Sequence, residues 1–404
     1  MTSTSFTHTT ATGCTHTTAT GCRRAHPFGP AQDEVLRELC AAVFGSLPRS
    51  DQRRRAEEYV RGLLCTPGRK SIRNIAAHMG GGSATEQRLQ HFVTSSTWDW
   101  RPVRAALIAW LEAAHPLSAW VVQPMPIPKS GEHSVGVGRR FDPHLGQVLR
   151  GQQSFGVWFV APGTVTPAGW RLFLPAQSSG AAPGAPGGES YEESITAAVR
   201  ETVGAATTSR RPVVLDVRGT DARSAMSRLP LAGLPVIART RATTSLRVAD
   251  PAMPGHGAGP RSARDILTSV TALRRPVEWH DGATGGEARV SLAAAMPVTP
   301  YAAVTRRPLV LLGEWADPRR APAQFWITNM CHPAPALLRL AKQGDRVGRA
   351  AAQYARQAGL RDFAGRSLSG WHRHLTLASV ACAVGSLTGT ADEPVQAPAA
   401  ALTG

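Results

Sequence analysis

The chain has 404 residues, 42% of them hydrophobic, which is enough to bury a large core and indicates a globular protein of two units rather than one. Its formal charge of +17 and pI of about 11.0 lie outside the range of an ordinary metabolic enzyme and indicate a polyanionic partner, nucleic acid first. No apolar run approaches the roughly 20 residues of a membrane span, and the amino terminus lacks an apolar signal core, so membrane contact is excluded and a cytoplasmic location is expected.

Arginine supplies nearly all of the positive charge, since the only lysines are Lys70, Lys129 and Lys342. Codon bias in a GC-rich genome would produce the same excess without any partner. Binding of a nucleic acid remains the interpretation that the basic composition favours.

The amino-terminal tail offers only a weak candidate for metal binding. Residues 7–22 repeat Thr-His-Thr-Thr-Ala-Thr-Gly-Cys twice, which leaves no apolar face, so residues 1–32 are expected to be disordered. Two His and two Cys could hold a metal, but such a repeat more often reflects duplicated DNA or a start codon placed too far upstream. The six cysteines of the chain show no zinc-ligand spacing and are expected to be reduced and structural.

Apolar residues at helical spacing predict an all-α segment after the tail, over 33–116. The predicted helices are 33–46, 51–65, 71–79, 85–93 and 100–114. The pair 71–79 and 85–93, separated by Gly80-Gly81-Gly82, fits a helix-turn-helix that docks on DNA, and it fits an ordinary bundle pair equally well.

From Ala119 onward, short β-rich runs predict an α/β domain. The strand Pro212–Asp216, a helix from Ala222 and the strand Leu234–Ala238 form a βαβ unit. A Gly/Pro/Ala/Ser linker covers Ser178–Gly188. Strands are expected again at 309–312 and 325–328, and helices at 335–358 and 370–387. This divides the core into 117–245 and 331–390, around an irregular β-rich insertion at 246–330, with a disordered tail at 391–404.

Several segments, taken in order, carry a family resemblance. They are Arg54–Leu64, Arg69-Lys-Ser-Ile, Leu89-Gln-His-Phe-Val, Ile127-Pro-Lys-Ser-Gly-Glu-His-Ser-Val-Gly-Val-Gly-Arg, Trp170-Arg-Leu-Phe-Leu-Pro, Phe325-Trp-Ile-Thr-Asn and Gly365–Leu377. Together, over about residues 50–388, they resemble insertion-sequence transposases of the DDE superfamily. The resemblance implies an α/β fold: an RNase H-like mixed sheet with flanking helices and a β-rich insertion, preceded by an all-α domain.

The resemblance also implies a catalytic site of three carboxylates that bind two divalent cations, Mg²⁺ or Mn²⁺. The positions of the first acid are here Gln123 and Pro124, and the position of the third is Gly348. Only the second acid, Asp216, is retained. We therefore expect no cleavage or joining of DNA and no cofactor, whereas Mg²⁺ or Mn²⁺ would be needed if activity persists. Asp216 is either a residual metal ligand or an inherited strand-end Asp that hydrogen-bonds its loop.

DNA is the expected partner, with association to the nucleoid, no small-molecule substrate, and a homodimer left open. The basic residues expected to contact DNA are Arg69, Lys70, Arg73, Arg88, Lys129, Arg139, Arg140, Arg349 and Arg373. The pair His372 and His374 is interpreted as part of the closing packing motif, because no third metal ligand is near in sequence.

Three other interpretations stay open. An active nuclease could use displaced carboxylates, with Glu132, Asp142 and Asp345 beside Asp216; Asp345 lies three residues before the third-acid position on the same helix face. The fold could serve as a scaffold that binds another protein. The chain could also be the product of a decaying gene.

Overall fold

The computed structural model describes residues 29–389 apart from 132, 143–145, 175–188, 208–209, 218–225, 227–228, 230–232, 281–287 and 301–307. The octapeptide repeat, the linker at 178–188, nearly all of the helix expected from Ala222 and the tail at 391–404 lie outside these residues, as do the candidate ligand Glu132 and the side chain of Asp142.

Five helices form between residues 29 and 118, where the apolar periodicity predicts them. They are α1 (Pro30–Phe44), α2 (Ser50–Cys65), α3 (Ile72–His78), α4 (Ser83–Thr94) and α5 (Trp100–Ala114). The side chains of Ser71 and Asp99 accept backbone N–H bonds and so cap the starts of α3 and α5. Gly80 has φ +73°, a conformation that favours glycine, and it makes the turn between α3 and α4.

Twelve strands of the described residues join one sheet. They are β1 (Ala119–Pro128), β2 (Gly138–Asp142), β3 (Gln147–Ala161), β4 (Thr164–Leu172), β5 (Val213–Leu215), β6 (Val236–Arg239), β7 (Ser245–Val248), β8 (Arg261–Ser262), β9 (Arg275–His280), β10 (Ala288–Pro300), β11 (Leu309–Trp315) and β12 (Gln324–Thr328).

The centre of the sheet has the strand order β4-β3-β1-β5-β6. Strand β3 runs antiparallel to β1 and β4, whereas β1, β5 and β6 are parallel, with Val121 opposite Val214 and Val214 opposite Ile237. This mixed arrangement is RNase H-like, and it confirms the α/β fold class predicted from the sequence. Strand β6 then pairs antiparallel with β12, and β11, β10, β7 and β8 follow. The segment expected as a β-rich insertion thus supplies strands that extend the core sheet.

The helices after β4 lie against this sheet. They are α6 (Tyr191–Val203), α7 (Ala263–Thr268), α8 (Ala334–Ala341), α9 (Gln343–Gln357) and α10 (Leu368–Leu387). The single helix expected over 335–358 is divided into α8 and α9, and the break falls at Lys342, whose side chain is buried. Helix α9 packs across β1, which brings it to the carboxyl ends of the parallel strands.

Helix α10 connects the amino-terminal helices to the sheet. It packs against β4 and also against α1, α2, α4 and α5, and nearly all of its residues from Gly370 to Gly385 are buried. Burial around its whole circumference places this helix inside the core. Arg104 of α5 reaches across this junction and donates hydrogen bonds to Thr376 Oγ1 at 2.8 Å and Trp170 O at 3.1 Å.

Candidate active site

A gap opens beside the second half of strand β1. Strand β5 pairs with β1 only from Trp120 to Val122, after which Asp216 N donates the last bond to Val122 O. Pairing with β3 continues to Pro128. Lys129 N donates to Arg150 O, so the odd-numbered N–H groups of β1 face β3. The prolines at 124, 126 and 128 therefore fall on the side without a neighbouring strand, where a missing N–H costs no ladder bond.

Three positions singled out in the sequence meet at this gap. Gln123 of β1 donates from Nε2 to Asp216 Oδ2 and to Gly344 O, both at 2.8 Å. A Cβ at Gly348 of α9 would lie 3.8 Å from the same Nε2. The structure thus places Gln123, Asp216 and Gly348 side by side, and of these only Asp216 carries a carboxylate. Pro124 lies next to them, half-buried, and offers no side-chain ligand.

The remaining oxygen of Asp216 lies against an arginine. Asp216 is 9% exposed, and its Oδ1 is 2.5 Å from Nε of Arg239 at the end of β6. These two atoms do not form a hydrogen bond, so the contact is an ion pair only. Arg239 also reaches Asp345 Oδ1 at 3.6 Å and lies over the Trp326 ring at 5.6 Å.

A second cation, Lys342, lies on the other side of Asp345. Lys342 Nζ is 2.8 Å from Glu314 and 3.3 Å from Asp345 Oδ2, and it lies 4.3 Å from the centre of the Trp279 ring. The Lys342 and Glu314 side chains are only 7% and 3% exposed. Acids and bases therefore alternate through the site in the order Asp216, Arg239, Asp345, Lys342, Glu314, which we call the ion chain.

The ion chain borders an open cleft of about 790 Å³ between the sheet and α9. Exposed Arg289 of β10 and Arg349 of α9 also line this cleft, together with Trp279, Ser291 and Gln324. The cleft is mixed in charge: three carboxylates and three side-chain cations line it, and Arg239 contacts two of these carboxylates. A negatively charged ligand would meet arginines at its mouth.

The residues at this cleft do not fit the pair of divalent cations that a three-carboxylate site binds. Such cations need several oxygen ligands converging on one point. Each carboxylate of the ion chain instead contacts Arg239 or Lys342, and Gln123 presents its amide nitrogen to Asp216. Among the residues that the structure describes, no cluster of three or more His, Cys, Asp or Glu side chains is suited to a metal.

The basic residues expected to contact DNA have different environments. Five of them are exposed: Arg69, Arg73, Arg88, Arg139 and Arg349. Lys70 and Arg373 are buried and donate to backbone carbonyls, Lys70 to Thr66 O and Arg373 to Trp98 O and Val93 O. Burial lowers the pKa of both side chains. The protein itself therefore occupies donors of both side chains.

Lys129 and Arg140 are half-buried. The Lys129 ammonium donates to Phe363 O at 2.5 Å, and burial, with Arg69 nearby, lowers its pKa. The Arg140 guanidinium lies 5.0 Å from the centre of the Phe173 ring, and burial lowers its pKa as well. Both side chains thus make contacts within the protein and remain partly exposed.

The two histidines of the last helix are also held by packing contacts. His374 Nε2 donates to Gly359 O at 2.9 Å, so Nδ1 accepts the Tyr59 hydroxyl, also at 2.9 Å. Burial lowers the pKa of His374 to about 4. His372 stacks on Trp100 at 4.6 Å, and burial beside Arg104 lowers its pKa to about 2. Neither ring is poised to bind a metal.

Comparison with known families decides the lineage. Residues 42–296, more than half of the chain, match the family described as DDE superfamily endonuclease. The chain belongs to this family. The match includes β1 and β5, which position Gln123 and Asp216, and it ends before α9. The chain matches none of the curated proteins with which it was compared. No helix of the described residues is long and apolar enough to cross a membrane.

The sequence indicates Asp216 and Asp345 as candidate ligands but does not identify Arg239, Lys342 and Glu314, the other members of the ion chain. The contact between Arg239 and Asp216 could have been predicted. Arg239 ends β6, the strand that follows β5, and the parallel register Leu215↔Ala238 makes Asp216 and Arg239 neighbours. Glu314 and Lys342 meet only through the pairing of β12 with β6 and of β11 with β12. Nothing local in the sequence indicates that contact.

Proposed function

We propose that this DDE-family protein binds DNA without cutting or joining it. The observation that carries the proposal is the hydrogen bond from Gln123 Nε2 to Asp216 Oδ2. An amide donor stands where a metal-binding site would present a carboxylate, and it uses the carboxylate oxygen that a metal would need. At the two positions aligned with the other catalytic acids, Gln123 and Gly348, no carboxylate accompanies Asp216.

The net charge of the chain and the exposure of several arginines support DNA binding. The formal charge of +17 attracts a polyanion. Exposed Arg69 precedes α3, and exposed Arg73 and Arg88 lie on α3 and α4. Further exposed polar residues of α4, Gln87 and His91, accompany Arg88 on that helix. The helix pair would then contact DNA, as the sequence pattern suggests.

The displaced-carboxylate alternative has less support. Asp345 and Glu314 are near enough to join Asp216 in one ion chain, but Arg239 and Lys342 lie between the carboxylates. A shared metal would have to displace both cations. We therefore propose that the protein descends from insertion-sequence transposases, is catalytically inactive, and associates with the nucleoid through DNA.

The test combines binding and cleavage on DNA from the regions that flank the protein's own gene. A gel shift should show binding that weakens as salt rises, and no nicking should appear in Mg²⁺ or Mn²⁺. Asp216→Ala should leave both results unchanged. Specific nicking by the wild type that Asp216→Ala abolishes would overturn the proposal.

A matched pair of variants tests the surface. Arg73→Ala with Arg88→Ala should weaken binding and reduce the salt slope by about one for each phosphate that the variant no longer neutralises. Arg264→Ala with Arg319→Ala removes two exposed arginines elsewhere and should change neither quantity. Equal reductions in affinity for the two pairs would indicate only a general effect of net charge.

A further inference from the structure

The ion chain holds two cations in fixed positions between three carboxylates. We propose that Arg239 and Lys342 take over the charge role that divalent cations have in an active DDE site, so that a DNA strand can occupy the cleft without any metal. This inference rests on the proposed DNA binding and names the DNA backbone phosphate as the ligand of the cleft.

The first support is the bridging geometry. Arg239 joins Asp216 and Asp345 at 2.5 and 3.6 Å, and Lys342 joins Asp345 and Glu314 at 3.3 and 2.8 Å. Each cation therefore contacts two carboxylates, as a bridging metal ion does. Asp345 is shared by both cations, which makes it the centre of the ion chain.

The second support is the balance of charge. Three carboxylates alone would repel a phosphodiester. Arg239 and Lys342 each contact two of these carboxylates and so offset their charge, and Arg289 and Arg349 add further cations to the lining of the cleft. Side chains thus supply positive charge beside the three carboxylates without any metal.

The third support is the immobility of the two cations. Arg239 and its partner Asp216 are each 12% exposed in their side chains, and Lys342 is 7% exposed. Aromatic rings lie beside both cations, Trp326 for Arg239 and Trp279 for Lys342. A cation near an aromatic face gains further electrostatic stabilisation where water is excluded. Preorganised charges of this kind need no reorganisation when an anion arrives.

The experiment compares DNA affinity in EDTA with affinity in Mg²⁺ at matched ionic strength, by fluorescence anisotropy. Wild-type protein should bind at least as tightly in EDTA as in Mg²⁺, because Mg²⁺ only competes for phosphates. Arg239→Met should bind about tenfold more weakly in EDTA and regain affinity in Mg²⁺. Arg264→Met, which removes an exposed arginine elsewhere, should behave as wild type. A wild type that requires Mg²⁺, or a folded Arg239→Met that is unaffected in EDTA, would overturn the inference.

Direct Mn²⁺ binding, measured by electron paramagnetic resonance without DNA, separates this inference from the proposed function. Wild-type protein should show no Mn²⁺ signal that depends on Asp216, whereas Arg239→Met should bind Mn²⁺ and lose it again when Asp345→Asn is added. If Arg239→Met does not fold, Mn²⁺ binding by the wild-type protein is the deciding measurement. Wild-type Mn²⁺ binding that Asp216→Asn abolishes would overturn the inference. Failure of the wild type to bind any DNA would refute the proposed function, and the Mn²⁺ result would still stand.

Discussion

Two glycines of helix α9 provide a sharp test of how closely this helix approaches Asp216. A Cβ added at Gly344 would lie 2.9 Å from Asp216 Cβ and 3.0 Å from its Cγ. Those atoms are near the backbone of a buried residue and cannot swing aside. Overpacking of this kind costs about 1–3 kcal/mol. We expect Gly344→Ala to lower the free energy of unfolding by about 1–2 kcal/mol, since the helical preference of alanine offsets part of that cost.

Gly348, one turn further along α9, is the matched control. The nearest atom to its added Cβ is Gln123 Nε2 at 3.8 Å, an ordinary van der Waals contact. Gly348→Ala should raise the free energy of unfolding by about 0.5–1 kcal/mol, because alanine restricts the unfolded chain and favours the helix. Urea unfolding followed by circular dichroism and tryptophan fluorescence measures both changes. Shifts of the same sign in the two variants would refute the close contact between α9 and Asp216.

Three other predictions concern stability. The pKa of about 4 for His374 in the folded state lies below its ordinary value of 6.5, so its contribution is present above pH 6.5 and is lost as pH falls toward 4. Wild type should lose about 2 kcal/mol from this group between pH 7 and pH 5, and His374→Gln should abolish that part of the loss in urea titrations; an unchanged pH dependence would contradict the assignment. Lys342→Met should cost about 3–5 kcal/mol because Glu314 is left buried and unpaired, and adding Glu314→Gln should recover most of it; no recovery would show that the pair is not coupled. Arg373→Met, which removes bonds to Trp98 O and Val93 O, should lower the thermal midpoint yet leave the DNA affinity of the folded protein unchanged, and weaker binding at unaltered stability would place Arg373 at the interface.

Much of the fold could be predicted from the sequence because the signals for it are local. The amino-terminal helices follow from apolar spacing and from caps such as Ser71 and Asp99. The parallel pairing of β5 with β6 follows from two apolar strands joined by a crossover. Strand β1 extends to Pro128, although prolines such as those at 124, 126 and 128 ordinarily disfavour a strand. They are tolerated because β5 no longer pairs there.

The candidate site could be predicted only in part. Its three positions came from motif spacing, and the structure brings them together. The rest of the ion chain did not follow from the sequence, because the contact of Arg239 with Asp216 depends on strand register and the position of Glu314 on long-range strand pairing. The burial of Lys70 depends on tertiary packing. A basic residue in a sequence pattern does not reveal whether its side chain will be buried.

The central claim is that this DDE-family chain binds DNA with a cleft that carries out no phosphodiester chemistry. The most direct measurement is a nicking and strand-transfer assay on DNA that the protein demonstrably binds, in Mg²⁺ and in Mn²⁺, with Asp216→Ala beside the wild type. We expect bound DNA and no metal-dependent product from either protein; the absence of product would follow because Gln123 and Arg239 occupy both oxygens of Asp216. Product formed by the wild type and absent with Asp216→Ala would contradict the claim.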